Sequence, residues 1–392
     1  MSDTIKKVEL GKVANVITKG TTPTSIGFDF TQTGINFIKI ESISEEGNFI
    51  QSRIAHISEE CNNKLKRSQL ELNDILFSIA GAIGRVAKVT SDILPANTNQ
   101  ALALIRLKPG IFDYDFLCYY LQSQAIAEQY EKKKQGVAQL NISLNDISNF
   151  ELPIMDFACQ LKVVKYLNKV MHLIEKRKKQ IEKLDELVRS RFVEMFGDPI
   201  RNEKGWVQAT LKDIAVGKLS YGSGTSAIKY DGKIRYIRIT DIMDNGELND
   251  DIKSPNQVDE KYLLNEGDIL FARSGATVGK TCCYKAKMGK AIYAGYLIRL
   301  IPNRKLVSPQ YVYYYTKTGY YNMFIKNSQK VVAQPNINAQ EYGDLVICVP
   351  PIELQNKFAE FVEKVEKTKS AIKKSLYSLE TLKKSLMQKY FG

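Results

Sequence analysis

With 392 residues, 44% hydrophobic content and no apolar run near the length of a membrane span, the sequence reads as a globular protein of two or more domains, neither disordered nor membrane-inserted. Lys and Arg number 56 against 43 Asp and Glu, and the net charge of +13 points either to a polyanionic partner or to a basic solvated surface. Six cysteines without C-x-x-C spacing, and an N-terminus (MSDTIKKVELG) lacking the apolar core of a signal peptide, give the expectation of a reducing, cytoplasmic compartment.

In chain order, residues 1–155 carry short β-branched and aromatic strands (NFIKI, DILFSIA, ALALIRL) between Gly, Asn and Asp turns, followed by a helical piece, YDFLCYYLQSQAIAEQY. Residues 156–197 change character. From Asp156 to Phe196 there is neither Pro nor Gly, and Leu167, Val170, Ile174, Arg177, Ile181, Leu184, Val188, Arg191 and Met195 recur in steps of three and four. That is a heptad seam with Lys, Arg and Glu on the outer faces. Residues 198–350 return to strands (IRYIRI, DILFARS, YLIRL) and a helical piece, PQYVYYYTKTGYYNMFI. Residues 351–392 repeat the seam with Val362, Val365, Lys369, Ile372, Leu376, Leu379, Lys383, Leu386 and Tyr390.

The chain is therefore written twice. INFIKIESI (Ile35 to Ile43) matches IRYIRITDI (Ile234 to Ile242), LIRL recurs at Leu104 and Leu297, GVAQLNIS (Gly136 to Ser143) recurs as VVAQPNIN (Val331 to Asn338), and MFG at Met195 matches YFG at Tyr390. The expected fold class is α+β: two tandem-repeated globular domains separated by two long helices that form an antiparallel coiled coil. A helix of 40 residues spans about 60 Å at about 1.5 Å per residue, which suits one to two turns of duplex DNA at about 34 Å each.

One stretch invites a different reading. GDILFARSGATVGKT (Gly267 to Thr281) looks like a phosphate-binding loop, but Gly275 and Gly279 enclose three residues where that loop needs four before its Gly-Lys pair. The duplicate, NDILFSIAGAIGRV, has Arg85 in place of Lys280 and Val86 in place of the hydroxyl of Thr281. A nucleotide site is therefore not expected. The two histidines, His56 and His172, have no nucleophile or metal-ligand partner nearby in sequence, and neither catalytic nor metal-binding residues are assigned.

The paired stretches NDILFSIAGAIGR and GDILFARSGATVGK, VAQLNIS and VAQPNIN, and the helix openings LPIMDFACQLKVVKYLNKV and VPPIELQNKFAEFVEKV resemble the specificity subunits of type I restriction-modification enzymes over the whole chain. The resemblance implies two target-recognition domains (1–155 and 198–350), a central conserved helical region (156–197) and a distal one (351–392). It implies a non-catalytic protein that reads a bipartite double-stranded DNA target and binds two methyltransferase subunits, and restriction subunits in a full complex. No cofactor is expected on this chain; S-adenosylmethionine and ATP with Mg belong to the partner subunits. The competing reading is a non-specific nucleic-acid-binding scaffold with a coiled-coil core.

Base readout needs Arg, Lys, Asn or Gln on loops, with hydroxyl and basic groups on phosphates. In the first domain the candidates are Lys19, Thr21 and Thr22, then Arg85, then Asn97, Asn99 and Gln100, then Gln139. In the second they are Lys218, Tyr221, Arg273, Ser274, Lys280, Tyr296, Lys330 and Gln334. The glycine turns holding Arg85 and Lys280 are read either as backbone approaching a DNA phosphate or as plain hairpin turns.

Overall fold

A computed structural model describes residues 6–131, 141–329 and 336–392. The chain forms two compact units, one of Met1–Lys176 with Ser375–Gly392 and one of Arg177–Lys374. The division falls inside both long helices, Phe157–Phe196 and Ile352–Phe391, so each unit holds one globular domain and a part of each helix.

The two units share one topology. In the first, a four-stranded antiparallel sheet has the spatial order Ala14–Lys19, Leu102–Leu107, Ile75–Ser78, Val86–Lys88. The second has Ser220–Tyr221, Leu297–Leu300, Ile269–Ala272, Thr281–Cys283 in the same order. Each unit adds a parallel pair, Ile35–Ile38 with Ala96–Thr98 and Arg235–Ile237 with Ala291–Tyr293. Each also has an antiparallel pair joining the two ends of its domain, Lys7–Glu9 with Glu151–Pro153 and Val207–Thr210 with Val346–Val349. The repeated DILF strands are buried on both faces, which explains why they read as continuous apolar runs rather than as alternation.

Register corrects one of the sequence matches. Ile75 pairs with Ile105, whereas its counterpart Ile269 pairs with Leu300, so the two LIRL stretches are not structural equivalents and are offset by two residues. Because side chains alternate with a period of two, such a shift leaves the same face toward the core. It does change the ion pair: Arg106 lies opposite Asp74 and bonds it through Nε at 2.8 Å and Nη2 at 2.7 Å, whereas Arg299 and Asp268 stand 3.8 Å apart. The hydrogen bonds that Arg106 donates to buried Asp74 raise its guanidinium above the ordinary arginine value, and burial raises the Asp268 carboxyl.

The long helices are fixed to the domains by two repeated devices. At the start of each, a buried glutamine binds the loop ahead of the domain's helical piece. Gln160 accepts the amide of Asp113 and donates to the carbonyls of Ile111 and Met155. Gln355 accepts from Ser308 and donates to Leu306 and Pro350. At the end of each helix, a phenylalanine enters the core of the other repeat's domain. Phe391 packs on Phe116 and Tyr120 in the first unit, and Phe196 packs on Tyr311 in the second. Phe116 and Tyr311 stand 195 residues apart, as do Phe196 and Phe391, so the contact is reciprocal between the repeats.

Along both helices the apolar seam positions face inward. Leu167, Val170, Ile174, Val188, Val362 and Val365 are buried, and Ile181, Leu184, Ile372, Leu376, Leu379 and Leu386 are half-buried. The polar interruption Lys369 is buried and bonds Asp185 at 2.6 Å. No helix among the described residues is long and apolar enough to cross a membrane.

Replacing Gln355 by Ala strands the buried amide of Ser308 and should cost about 1–3 kcal/mol, measured by chemical denaturation; Gln160→Ala should cost a similar amount. Replacing Phe391 by Ala should cost about 3–5 kcal/mol, whereas Tyr377→Ala, on the exposed side of the same helix, should leave the midpoint nearly unchanged.

Candidate nucleic-acid interface

In the first domain the structure brings the hydroxyl-rich loop onto the NTNQ segment. Gly20 permits this: a Cβ there would lie 1.7 Å from the carbonyl oxygen of Thr98, and the Gly20 amide donates to the carbonyl of Asn99. Thr22 Oγ1 then donates to Gln100 Oε1 at 2.5 Å. Lys19 and Gln100 are exposed and Thr21 is half-exposed, while the Asn99 side chain accepts from the Ala101 amide.

Two basic residues that sequence reasoning passed over join this surface. Arg67 donates to the carbonyl of Lys19 at 3.3 Å, and together with Lys64, Thr21, Ile26 and Phe28 it lines an open groove. The signal was present in the basic run KLKR, Lys64 to Arg67.

Asn97 does not belong to the surface. It is fully buried, and its amide is saturated: Oδ1 accepts from Ser68 and the Thr98 amide, and Nδ2 donates to Asn62 and the carbonyl of Leu65. An amide with every bond made inside the core has nothing left for a base. Its place is structural.

The glycine turns also prove to be anchors. Arg85 donates to the carbonyls of Ile43 at 2.9 Å and Ile40 at 3.4 Å, and Lys280 pairs with Asp244 at 2.7 Å. Both bases therefore hold the turn to the segment that follows the strands Ile35–Ile38 and Arg235–Ile237, and the Lys280 ammonium keeps the Asp244 carboxyl below its usual range. The turn leads into the strand Thr281–Cys283 and not into a helix, so the arrangement of a nucleotide-binding loop is missing. The Thr281 hydroxyl is buried against Thr316 and Lys317. Burial lowers the Lys317 ammonium to about 8.

In the second domain Tyr221, Arg273, Ser274 and Tyr296 meet. The Arg273 guanidinium lies over the Tyr221 ring with 4.7 Å to its centroid, and its Nε donates to Asn336 Oδ1 at 3.1 Å. The Arg273 amide donates to the carbonyl of Tyr296, and Ser274 bridges Asn336. Tyr221 and Tyr296 are exposed, as is Lys218. Gly222 allows this approach as Gly20 does, since a Cβ would sit 2.3 Å from the carbonyls of Tyr293 and Ala294. Gln139, Lys330 and Gln334 lie outside the described residues.

The paired VAQLNIS and VAQPNIN stretches are explained in part by packing. Ile142 and Ile337 are buried, and their amides donate to the carbonyls of Ile79 and Arg273. Ser143 and Asn338 then open short helices with capping boxes closed by Asp146 and Glu341.

Comparison with known proteins is consistent with this duplicated architecture. The Escherichia coli type I restriction enzyme EcoBI specificity subunit is 30% identical over 39% of this chain and 32% of its own length, so the match spans about a third of that relative. The MjaIX specificity subunit of Methanocaldococcus jannaschii is 23% identical over 98% of this chain and 91% of its own. The crystal structure of the type I restriction-modification S subunit from M. genitalium superposes with a TM-score of 0.56 at 18% identity, covering 100% of this chain and 98% of that one, a likeness of fold. The family model for the type I restriction modification DNA specificity domain matches twice, at residues 2–184 and 203–381, and the chain belongs to that family.

Proposed function

We propose that this chain is the specificity subunit of a type I restriction-modification complex, that its two globular domains each read one half of a bipartite DNA target, and that its long helices form an antiparallel coiled coil on which two methyltransferase subunits, and restriction subunits, assemble. The chain itself is non-catalytic and works in the cytoplasm. S-adenosylmethionine and ATP with Mg are bound by the partners. The observation that carries the reading is that two domains of one topology keep the same buried anchors and differ on the same surface. Gly20 and Gly222 hold one strand end, yet the residue before them is Lys19 in one domain and Tyr221 in the other. Reading two unlike half-sites requires this combination: a common scaffold and unlike contact residues.

The reciprocal docking of Phe196 and Phe391 supports the antiparallel arrangement, because the late part of each helix shares a core with the early part of the other. Phe391 lies in the cluster of Val163, Val164 and Leu167, and Phe192 and Phe196 lie in that of Phe358 and Val362. The net charge of +13 supplies the long-range attraction to DNA.

Exchanging residues 1–155 for the corresponding domain of a relative should change one half of the methylated sequence and leave the other half intact, read by mapping methylated adenines in cells. If both halves change, or neither does, the domains are not independent readers; a complex that binds random DNA as well as any bipartite sequence marks a non-specific scaffold. Val188→Asp or Val365→Asp places a carboxylate among Phe192, Phe358 and their neighbours, where it stays protonated or costs several kcal/mol. Pull-down of the methyltransferase subunit should then fail, and retained binding would show that the helix seam is not the docking framework.

A further inference from the structure

We propose that Arg273 is a base-reading residue, selecting a guanine in the half-site read by the second domain; the assignment rests on the function proposed above and names the chemistry of one contact within it. Arg273 is preorganised. A guanidinium is useful for readout when its plane is fixed and its terminal nitrogens are free. Arg273 is held from two sides: its guanidinium carbon lies over the Tyr221 ring, 4.7 Å from the centroid, and its Nε donates to Asn336 Oδ1. Among the described residues, no hydrogen-bond acceptor meets either Nη atom. Those two nitrogens present the parallel pair of donors that matches O6 and N7 of guanine in the major groove. Because the side chain is already held, little rotamer entropy remains to be lost on binding.

The first domain differs at the same backbone position. The carbonyl of Arg273 accepts from the amide of Ile337, and the carbonyl of Ile79 accepts from the amide of Ile142. Ile79 follows the DILFS stretch as Arg273 follows DILFA. The main chain is thus the same, but Ile79 is buried in its core and the residue matching Tyr221 is Lys19. A residue needed only to support this turn would be required in both copies. Isoleucine suffices in one, so the arginine held over Tyr221 in the other serves something outside the turn. Arg273 also contrasts with Arg85 and Lys280, whose charged groups are turned onto their own protein.

The test uses the full chain assembled with its cognate methyltransferase subunit, comparing wild type with Arg273→Lys and Arg273→Gln by mapping methylated adenines in cells and by DNA binding at several salt concentrations. Wild type defines the bipartite target. Both variants should assemble, keep the first half-site, and lose discrimination at a single G·C pair of the second by roughly 5- to 150-fold. Lysine should not rescue, because it lacks the planar fork. Weakening that is uniform over all sequences, with the salt slope shallower by about one, would mark a phosphate contact and overturn the proposal. Relaxation at an A·T pair, an unchanged target, or failure of both variants to assemble would overturn it as well. A wild-type complex without any sequence preference would instead remove the functional reading on which the assignment rests.

Discussion

A forty-residue helix with an apolar stripe cannot persist in water by helix propensity alone; the stripe must be covered, and what covers it decides the architecture. In this protein each long helix is bound to a globular core near its start and again at its end. Its first turns are held by a buried glutamine in the domain that precedes it, and its last by a phenylalanine inserted among the aromatics of the other repeat's domain. Remove these anchors and the helices lose their cover, and the domains lose part of their cores. Phe391 and Phe196 are constituents of those cores, beside Phe116 and Tyr311.

The same economy runs through the duplicated domains. Among the described residues, the recurrent motifs have structural tasks within their own domains. The Asp of the DILF stretch is buried and faces an arginine, the glycine before the divergent loop lets two backbones touch, the base after the glycine turn fastens a neighbouring segment, and the Asn-Ile-Ser or Asn-Ile-Asn stretch ends in a helix cap. Recurrence within the chain therefore marks what holds each domain together. Around these anchors the copies differ: exposed Lys19 stands where the other domain has exposed Tyr221, and buried Ile79 where the other has half-exposed Arg273. A buried hydrogen bond or a close backbone approach tolerates almost no substitution, whereas a solvent-facing side chain changes at little cost to the fold. Such positions are free to change without refolding the domain that carries them.

Charge is divided along similar lines. Several cations that look available in the sequence are already committed. Lys280 is paired with Asp244, Arg85 with two carbonyls, Arg106 with Asp74, and Lys369 with Asp185. Others are not consumed in this way, and Lys19, Lys64 and Lys218 stand at the surface. The net charge of +13 is a sum over the chain, but which cations remain available at the surface depends on which carboxylates the fold places beside the rest.

The duplication, the α+β character, the two long helices and the three-and-four spacing of their seam are legible in the residues alone, because each of these is written in a local period or in self-similarity. Burial follows that spacing, from Leu167 to Val188 and from Val362 to Leu386. The sequence also supplied the loops of the candidate interface, since hydroxyl, amide and basic residues among glycines mark exposed turns. What it could not determine is which members of those loops face outward. Asn97 and Asn99 are two residues apart and identical in type, yet one is sealed against Ser68 and Asn62 and the other is half-exposed. The two LIRL stretches are identical and still occupy registers two residues apart. Lys64 and Arg67 reach the groove from a segment more than forty residues from Thr21. Local periodicity fixes the element and its apolar face; strand register, long-range hydrogen bonds and the partner of each charge are set by segments far apart in sequence, and only the tertiary structure brings those together.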